Sequence, residues 1–196
     1  MTIATNHASK ATSHSSGQSA ARSSGARSAT PKSSVGRKPS HDAIVLLKAD
    51  HAEVKKCFKA YQKLVDQEAD GDDRQAMAEQ ICMLLTVHAT IEEEIFYPAA
   101  RQVLGDDADL VDEADVEHAS AKDLIAQIRG MKPDEDHYDA KVKVLGEYID
   151  HHVEEEQDEM FPKVKKAGLD TKAIGEALSQ RKEQLMAEQT EGAEAA

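Results

Sequence analysis

The chain has no tryptophan, and aromatic residues make up only 4% of its 196 positions. It also lacks any apolar run of about 18 residues, the length that a membrane-spanning helix needs, so the sequence predicts no membrane span. Alternating β-branched runs bounded by turn residues are missing as well, whereas strong helix formers such as alanine, leucine, glutamate and lysine are abundant. These absences favour an all-α fold.

Cysteine is scarce too, because Cys57 and Cys82 are the only two. Two residues do not make the dense disulfide framework of a small secreted protein, and their spacing is not that of a zinc ribbon. We therefore expect reduced thiols in a cytoplasmic protein. A redox-active pair is the open alternative if helices bring the two thiols together.

Acidic residues are missing from residues 1–40, which carry six lysines and arginines although the whole chain has a net charge of -13. Removing these six positive charges leaves -19 for residues 41–196. A body this acidic repels nucleic acid and anionic lipid, so we expect no specific nucleic-acid partner. The basic segment is rich in serine and alanine and has no apolar periodicity, which predicts a disordered tail. An organellar transit peptide and a loose attachment to an anionic partner are its two candidate roles.

Helical spacing of apolar residues begins at His41 and predicts four amphipathic segments, at 41–67, 73–102, 108–131 and 137–166. Glycine, aspartate and proline collect in the breaks between them. Short loops favour antiparallel neighbours, so we predict an up-down-up-down four-helix bundle over residues 41–166. Residues 167–196 are predicted to form a short C-terminal helix, starting at about Asp170, and a frayed end.

A pattern of histidine and glutamate occurs twice within these segments. Each copy has a single histidine in one predicted helix and a His-x-x-x-Glu motif in the next. In both copies a proline lies ten residues after the histidine of that motif. We expect each proline to bend or end its helix, and the neighbouring Phe96, Tyr97 and Phe161 to close the core. The first copy comprises His51, His88, Glu92 and Pro98, and the second comprises His118, His152, Glu156 and Pro162.

Counting about 100° per residue places these imidazoles and carboxylates within the apolar stripes of their helices. In the fourth helix His152 and Glu156 lie on the inner face, whereas the adjacent His151 and Glu155 point away from it. Two buried carboxylates need positive charge nearby, and no lysine or arginine occupies the inner stripes at their level. Protonated histidines are one source of that charge. A pair of divalent metal ions supplies it and also satisfies the imidazole nitrogens, so we predict a two-metal site.

On these residues the chain resembles the hemerythrin-like, or HHE cation-binding, domain over about residues 41–165. Ferritin-like bundles are the competing family, but they carry Glu-x-x-His, which does not occur in this chain. The resemblance implies a four-helix bundle around a non-haem di-iron centre, two iron ions bridged by glutamate and by oxide or hydroxide. Manganese and zinc also suit imidazole and carboxylate ligands. The implied metal ligands are His51, His88, Glu92, His118, His152 and Glu156.

Two positions depart from the oxygen-carrying hemerythrins. Lys122 stands where they have a second histidine in the third helix, and Gln157 stands where they have an aspartate, so that Glu156 is offered instead. The resemblance implies binding or sensing of a small oxidant: dioxygen, nitric oxide or peroxide. The alternatives are a di-iron enzyme that decomposes peroxide or reduces nitric oxide, and an iron-sensing or iron-handling module. The sequence leaves the oligomeric state open.

Overall fold

A computed structural model describes residues 42–194 of the chain, with side chains to residue 189. Within this range all regular secondary structure is helical, so the predicted all-α fold is confirmed. No helix of the described range is long and apolar enough to cross a membrane. The predicted tail, residues 1–40, lies outside the described residues. The helices are α1 (Ala43–Asp66), α2 (Gly71–Ile91), α3 (Tyr97–Leu104), α4 (Asp109–Arg129), α5 (Tyr138–Glu155), α6 (Phe161–Lys166) and α7 (Thr171–Glu194).

Four long helices form a ring around a shared core. Helix α1 packs against α2 and α5, and α4 packs against the same two helices. Short connections join α1 to α2 and α4 to α5, so neighbouring helices run antiparallel. Helix α1 begins after Asp42, whose carboxylate accepts a hydrogen bond from the Val45 N–H at 3.2 Å and caps the helix.

A π-helical turn follows each His-x-x-x-Glu motif. Glu92–Phe96 joins α2 to α3, and Glu156–Met160 joins α5 to α6. In each turn the carbonyl of the first glutamate accepts a hydrogen bond from the N–H five residues later. The predicted prolines follow directly, in the first turn of α3 and of α6. A proline has no N–H and its ring crowds the carbonyl four residues earlier, which usually breaks an α-helix. The wider π turn makes room for the ring. The helix therefore continues past each proline instead of ending there.

Two apolar clusters fill the bundle, one on each side of a layer of polar side chains. On α1, Leu47 belongs to one cluster and Val54 to the other, and His51 lies between them in sequence. Helix α4 repeats this order around His118, and the antiparallel helix α2 reverses it, from Leu85 to Ile91 across His88. Within the range whose side chains are described, the buried polar residues are His51, His88, Glu92, His118, His152 and Glu156.

The C-terminal helix α7 packs along α1, α2 and the first π turn. Leu178 is completely buried there and belongs to the same apolar cluster as Leu47. At the start of α7 the Thr171 hydroxyl donates a hydrogen bond to Asp42 at 2.6 Å, which ties this helix to the cap of α1. Helix α7 is therefore part of the folded body, and with 24 residues it is as long as α1, so the prediction of a short C-terminal helix was wrong in length.

Both cysteines are free thiols in the cluster that contains Val54. Burial raises the pKa of the Cys82 thiol to about 11, and burial also raises the pKa of Cys57. Neither side chain is therefore a ready thiolate nucleophile.

Candidate metal centre

Four imidazoles and two carboxylates converge in the polar layer of the bundle. The lone histidines come from α1 and α4, the motif histidines from α2 and α5, and the glutamates open the two π turns. Their ligand atoms form two groups, and within each group these atoms lie within 4.8 Å of one another. Glu92 belongs to both groups, so its carboxylate lies within reach of an ion held by either one. The first group is His51, His88, Glu92 and Glu156, and the second is Glu92, His118 and His152.

The distances between facing atoms are those of ligands that share an ion. His51 Nε2 lies 3.0 Å from His88 Nε2 and 3.2 Å from Glu156 Oε2. His118 Nε2 lies 3.2 Å from His152 Nε2. Two ligands about 2.1 Å from one ion are roughly 3.0 Å apart at octahedral angles and roughly 3.4 Å apart at tetrahedral angles.

The outer nitrogens of two of these imidazoles are held by carboxylates. His118 Nδ1 donates to Glu93 at 2.9 Å, and His152 Nδ1 donates to Glu117 at 2.7 Å. The Lys122 ammonium also donates to Glu93, at 2.6 Å from Oε1. Metal-ligating histidines commonly have such a partner, which fixes the ring and its tautomer. Lys122 therefore serves the site indirectly, by holding Glu93.

The other two imidazoles have weaker outer partners. His51 Nδ1 lies 3.0 Å from the Gln157 amide nitrogen, and His88 Nδ1 lies 3.6 Å from the Asp50 carboxylate. Asp50 in turn accepts a hydrogen bond from Lys182 of α7 at 2.5 Å. All four imidazoles thus turn Nδ1 outward to a polar group and Nε2 inward.

The tautomers of His118 and His152 place two nitrogen lone pairs opposite each other, and a cation between them removes the repulsion. A carboxylate only accepts hydrogen bonds, so Nδ1 carries the proton of each neutral ring and Nε2 presents a lone pair. The two lone pairs then face each other across 3.2 Å, unless a proton or a metal ion lies between them. Burial and the neighbouring His152 lower the pKa of His118 to about 4. Burial acts on His152 in the same direction, but its hydrogen bond to Glu117 and the charge of Glu156 raise its pKa, so a proton between the two rings would belong to His152. A metal ion between the two nitrogens would replace that proton and satisfy both lone pairs.

The two glutamates also need positive charge. Glu92 is 0% exposed, and neither oxygen of its carboxylate has a hydrogen-bond partner. Burial and the neighbouring Glu156 raise the pKa of Glu92 well above its ordinary value. Burial acts on Glu156 in the same direction, but the His51 hydrogen bond and the His152 charge hold its pKa at about 2. No lysine or arginine is buried among the described side chains, so this donor set fits divalent cations.

Tyr97 also belongs to the site. Its hydroxyl donates to Glu156 Oε1 at 3.1 Å and lies 3.2 Å from His118 Nε2. Burial and the two glutamates raise the pKa of the phenol, so it stays protonated. The sequence predicted Tyr97 only as a residue that closes the core. The π turn is the reason for the difference, because it turns both Phe96 and Tyr97 inward.

The adjacent histidines of α5 have opposite surroundings. His152 is buried, whereas the side chain of His151 is 63% exposed. This burial agrees with the inner face predicted for His152 and Glu156.

A cavity of about 20 Å³ adjoins the four imidazoles. Its wall is otherwise mostly apolar, with Val54, Leu85, Ile125 and Ile149 among the lining side chains. A volume of about 10–15 Å³ on this measure holds one water molecule, so the cavity admits a molecule of that size or a diatomic gas.

The chain is similar to known proteins in sequence and in fold. The family model of the Hemerythrin HHE cation binding domain matches residues 42–164. A protein of Nostoc sp. named DNA nickase is 30% identical over 122 residues, which cover 61% of this chain and 32% of that protein. The chain thus spans about a third of that relative's length. The crystal structure of a hemerythrin HHE cation binding domain-containing protein from Mycobacterium kansasii has the same fold, with a TM-score of 0.62 and 23% identity. That match covers 75% of this chain and 88% of the other.

Proposed function

This chain belongs to the hemerythrin HHE cation-binding domain family, and on that premise we propose that it holds two iron ions and binds or senses a small oxidant. The candidate oxidants are dioxygen, nitric oxide and hydrogen peroxide. One observation carries the proposal: four imidazole Nε2 atoms and two buried carboxylates converge beside a cavity of about 20 Å³.

The charge and number of the ligands suit a ferrous pair. Neutral imidazoles leave the ionic charge unchanged, and the two carboxylates offset half of the four positive charges of two ferrous ions. Six side-chain ligands do not fill two octahedral shells. When bound, the two ions would supply two electrons and at least one open coordination position to the oxidant.

The protein itself selects for small ligands. The cavity wall next to the imidazoles is mostly apolar, and the volume excludes anything much larger than a diatomic molecule or peroxide. Glu92 and Glu156 are shielded from bulk solvent, which keeps competing water away from the centre. Tyr97 holds a proton at a buried oxygen 3.1 Å from Glu156, so the site contains its own hydrogen-bond donor.

Two alternative functions use the same centre. The Tyr97 hydroxyl favours an enzyme that decomposes peroxide or reduces nitric oxide, because the first reaction moves protons between oxygens and the second takes protons up. The Glu92 carboxylate, which is buried and has no hydrogen-bond partner, favours an iron sensor, because loss of metal would leave it without a ligand-bound cation and destabilise the bundle.

Rapid-mixing spectroscopy separates these functions. The purified chain is loaded with iron, its iron content is measured, and the reduced form is mixed with dioxygen, nitric oxide or peroxide. A spectral change that reverses when the ligand is removed supports binding, and oxygen evolution from peroxide supports an enzyme. An iron-dependent melting temperature with no spectral change supports sensing. A chain that retains no iron after desalting would overturn the proposal.

DNA cleavage, which the name of the Nostoc relative states for that protein, is not part of this proposal. A sugar-phosphate strand cannot enter a cavity of about 20 Å³. The -19 charge of residues 41–196 would also repel it. Nicking of supercoiled plasmid by the iron-loaded chain, abolished in Glu92→Gln, would contradict this conclusion.

A further inference from the structure

A third group of ligand-type side chains lies next to the buried centre, at the surface between α4 and α5. It consists of Glu117, His151 and Glu155, whose ligand atoms lie within 4.8 Å of one another. His151 Nε2 is 3.4 Å from Glu155 Oε1 and 3.7 Å from Glu117 Oε1. Both distances are long for hydrogen bonds. They are close to the roughly 3.4 Å that separates two ligands of a tetrahedral ion.

The three side chains are held by rigid elements. His151 and Glu155 are one helical turn apart on α5, and Glu117 comes from the adjacent helix α4. One oxygen of Glu117 accepts the hydrogen bond from His152 Nδ1 at 2.7 Å, which fixes the carboxylate. Its other oxygen faces His151. This carboxylate is therefore oriented toward the outer group before any ion binds.

The group carries an excess of negative charge. Among the described residues, Glu117 and Glu155 form ion pairs with histidines only. Glu113 and Glu159 add further negative charge near Glu155. Carboxylates that crowd together without a lysine or arginine partner attract a cation, and the imidazole of His151 gives this position the ligand set of a transition metal.

We propose that Glu117, His151 and Glu155 bind one divalent transition-metal ion, separate from the buried pair. One imidazole and two carboxylates suit Zn²⁺, Mn²⁺ or Fe²⁺, and water completes the coordination shell. This outer site is weaker than the buried centre, because His151 is largely exposed and the site offers only three side chains. Glu117 is common to both sites, with one oxygen toward each.

Calorimetric titration of the iron-loaded full chain with Zn²⁺ tests the outer site. We expect one zinc ion per chain in addition to the buried metal, with the iron content unchanged after the titration. His151→Ala and Glu155→Gln should each weaken zinc binding by at least about tenfold. Glu154→Gln is the matched control for the lost carboxylate, and His137→Ala removes a surface imidazole elsewhere. Both controls should bind zinc as the unmodified chain does.

Two results would overturn the outer site. One is equal zinc affinity in Glu155→Gln and Glu154→Gln, and the other is no zinc uptake beyond the buried centre. Glu92→Gln distinguishes this inference from the proposed function, because it removes a ligand of the buried pair and leaves the outer three side chains intact. A chain that retains no iron but binds zinc in a His151-dependent manner would refute the di-iron proposal and leave the outer site standing.

Discussion

The ammonium of Lys182 lies 2.5 Å from the carboxylate of Asp50, so a residue of the C-terminal helix holds an acid that stands beside the metal centre. The other Asp50 oxygen lies 3.6 Å from Nδ1 of His88. Helix α7 thereby contacts the candidate site through the carboxylate that faces Nδ1 of His88. A second contact, from Arg181 to Glu94 at 2.7 Å, fixes α7 against the first π turn.

Replacing Lys182 by methionine should therefore loosen the buried metal. Asp50 would lose its cation and orient His88 less firmly, and such outer partners are worth about 10–100-fold in metal affinity. Competition with a chelator measures the loss. Lys172→Met, on the exposed face of the same helix, is the control and should keep full affinity. Equal affinity in the two variants would show that the Lys182 contact does not serve the metal.

His152→Ala should lose buried metal, and His151→Ala should retain it. Only His152 turns its Nε2 into the polar layer, whereas the side chain of His151 is 63% exposed. Metal content per chain after desalting, which removes weakly held ions, is the measurement. The same metal content in both variants would contradict the assignment of the inner face of α5.

Tyr97→Phe should keep the metal but change the reaction with the oxidant. The variant removes the buried hydroxyl that donates to Glu156 and leaves all six predicted ligands in place. If the hydroxyl supplies a proton, the rate of peroxide decomposition should fall by roughly 100-fold. Tyr61→Phe is the control, because it also removes a hydroxyl that donates a hydrogen bond, to Asp139 at 2.6 Å, but Tyr61 lies outside the metal centre. A rate that is equally affected in both variants would assign Tyr97 a structural role.

Removal of the metal should lower the melting temperature. Without cations the two buried carboxylates lose the positive charge that offsets their desolvation. Metal at about 1,000 times its dissociation constant adds roughly 4 kcal/mol to the free energy of unfolding. Calorimetric melting with iron and with a chelator measures the difference. The double variant Glu92→Gln, Glu156→Gln should lose most of this difference, and a shift of the full size in that variant would place the stabilising ion outside the buried centre.

Much of the fold could be predicted from the sequence. The apolar periodicity predicted four helical rods to within a few residues of their observed ends, when α2 with α3 and α5 with α6 are each counted as one rod through the π turn. It also located His51, His88, His118 and His152 inside the bundle. Burial was predictable because a helix repeats its faces at a fixed angle. The metal-binding role of these side chains stays a prediction for the experiments above.

The outer partners of the imidazoles were not predicted. Glu93 stands in a run of three glutamates of which only Glu92 was predicted to face the site, yet Glu93 turns in far enough to hold His118. All four outer partners are sequence neighbours of a predicted ligand. Glu117 and Asp50 each directly precede a lone histidine, and Gln157 and Glu93 each directly follow a motif glutamate. Sequence periodicity ranks faces by hydrophobicity, so it cannot separate a polar residue at the rim of the core from one in solvent.

The π turns fix the number of residues between each motif histidine and the proline that follows it. Each turn holds one residue more than an α turn, and it brings two consecutive side chains into the core, Phe96 with Tyr97 and Met160 with Phe161. Deleting one residue from either turn would rotate the rest of that rod by about 100° and carry its aromatic residue away from the site. The equal ten-residue spacing from histidine to proline in both copies is therefore a length requirement. We expect these segments to tolerate substitutions far better than insertions or deletions.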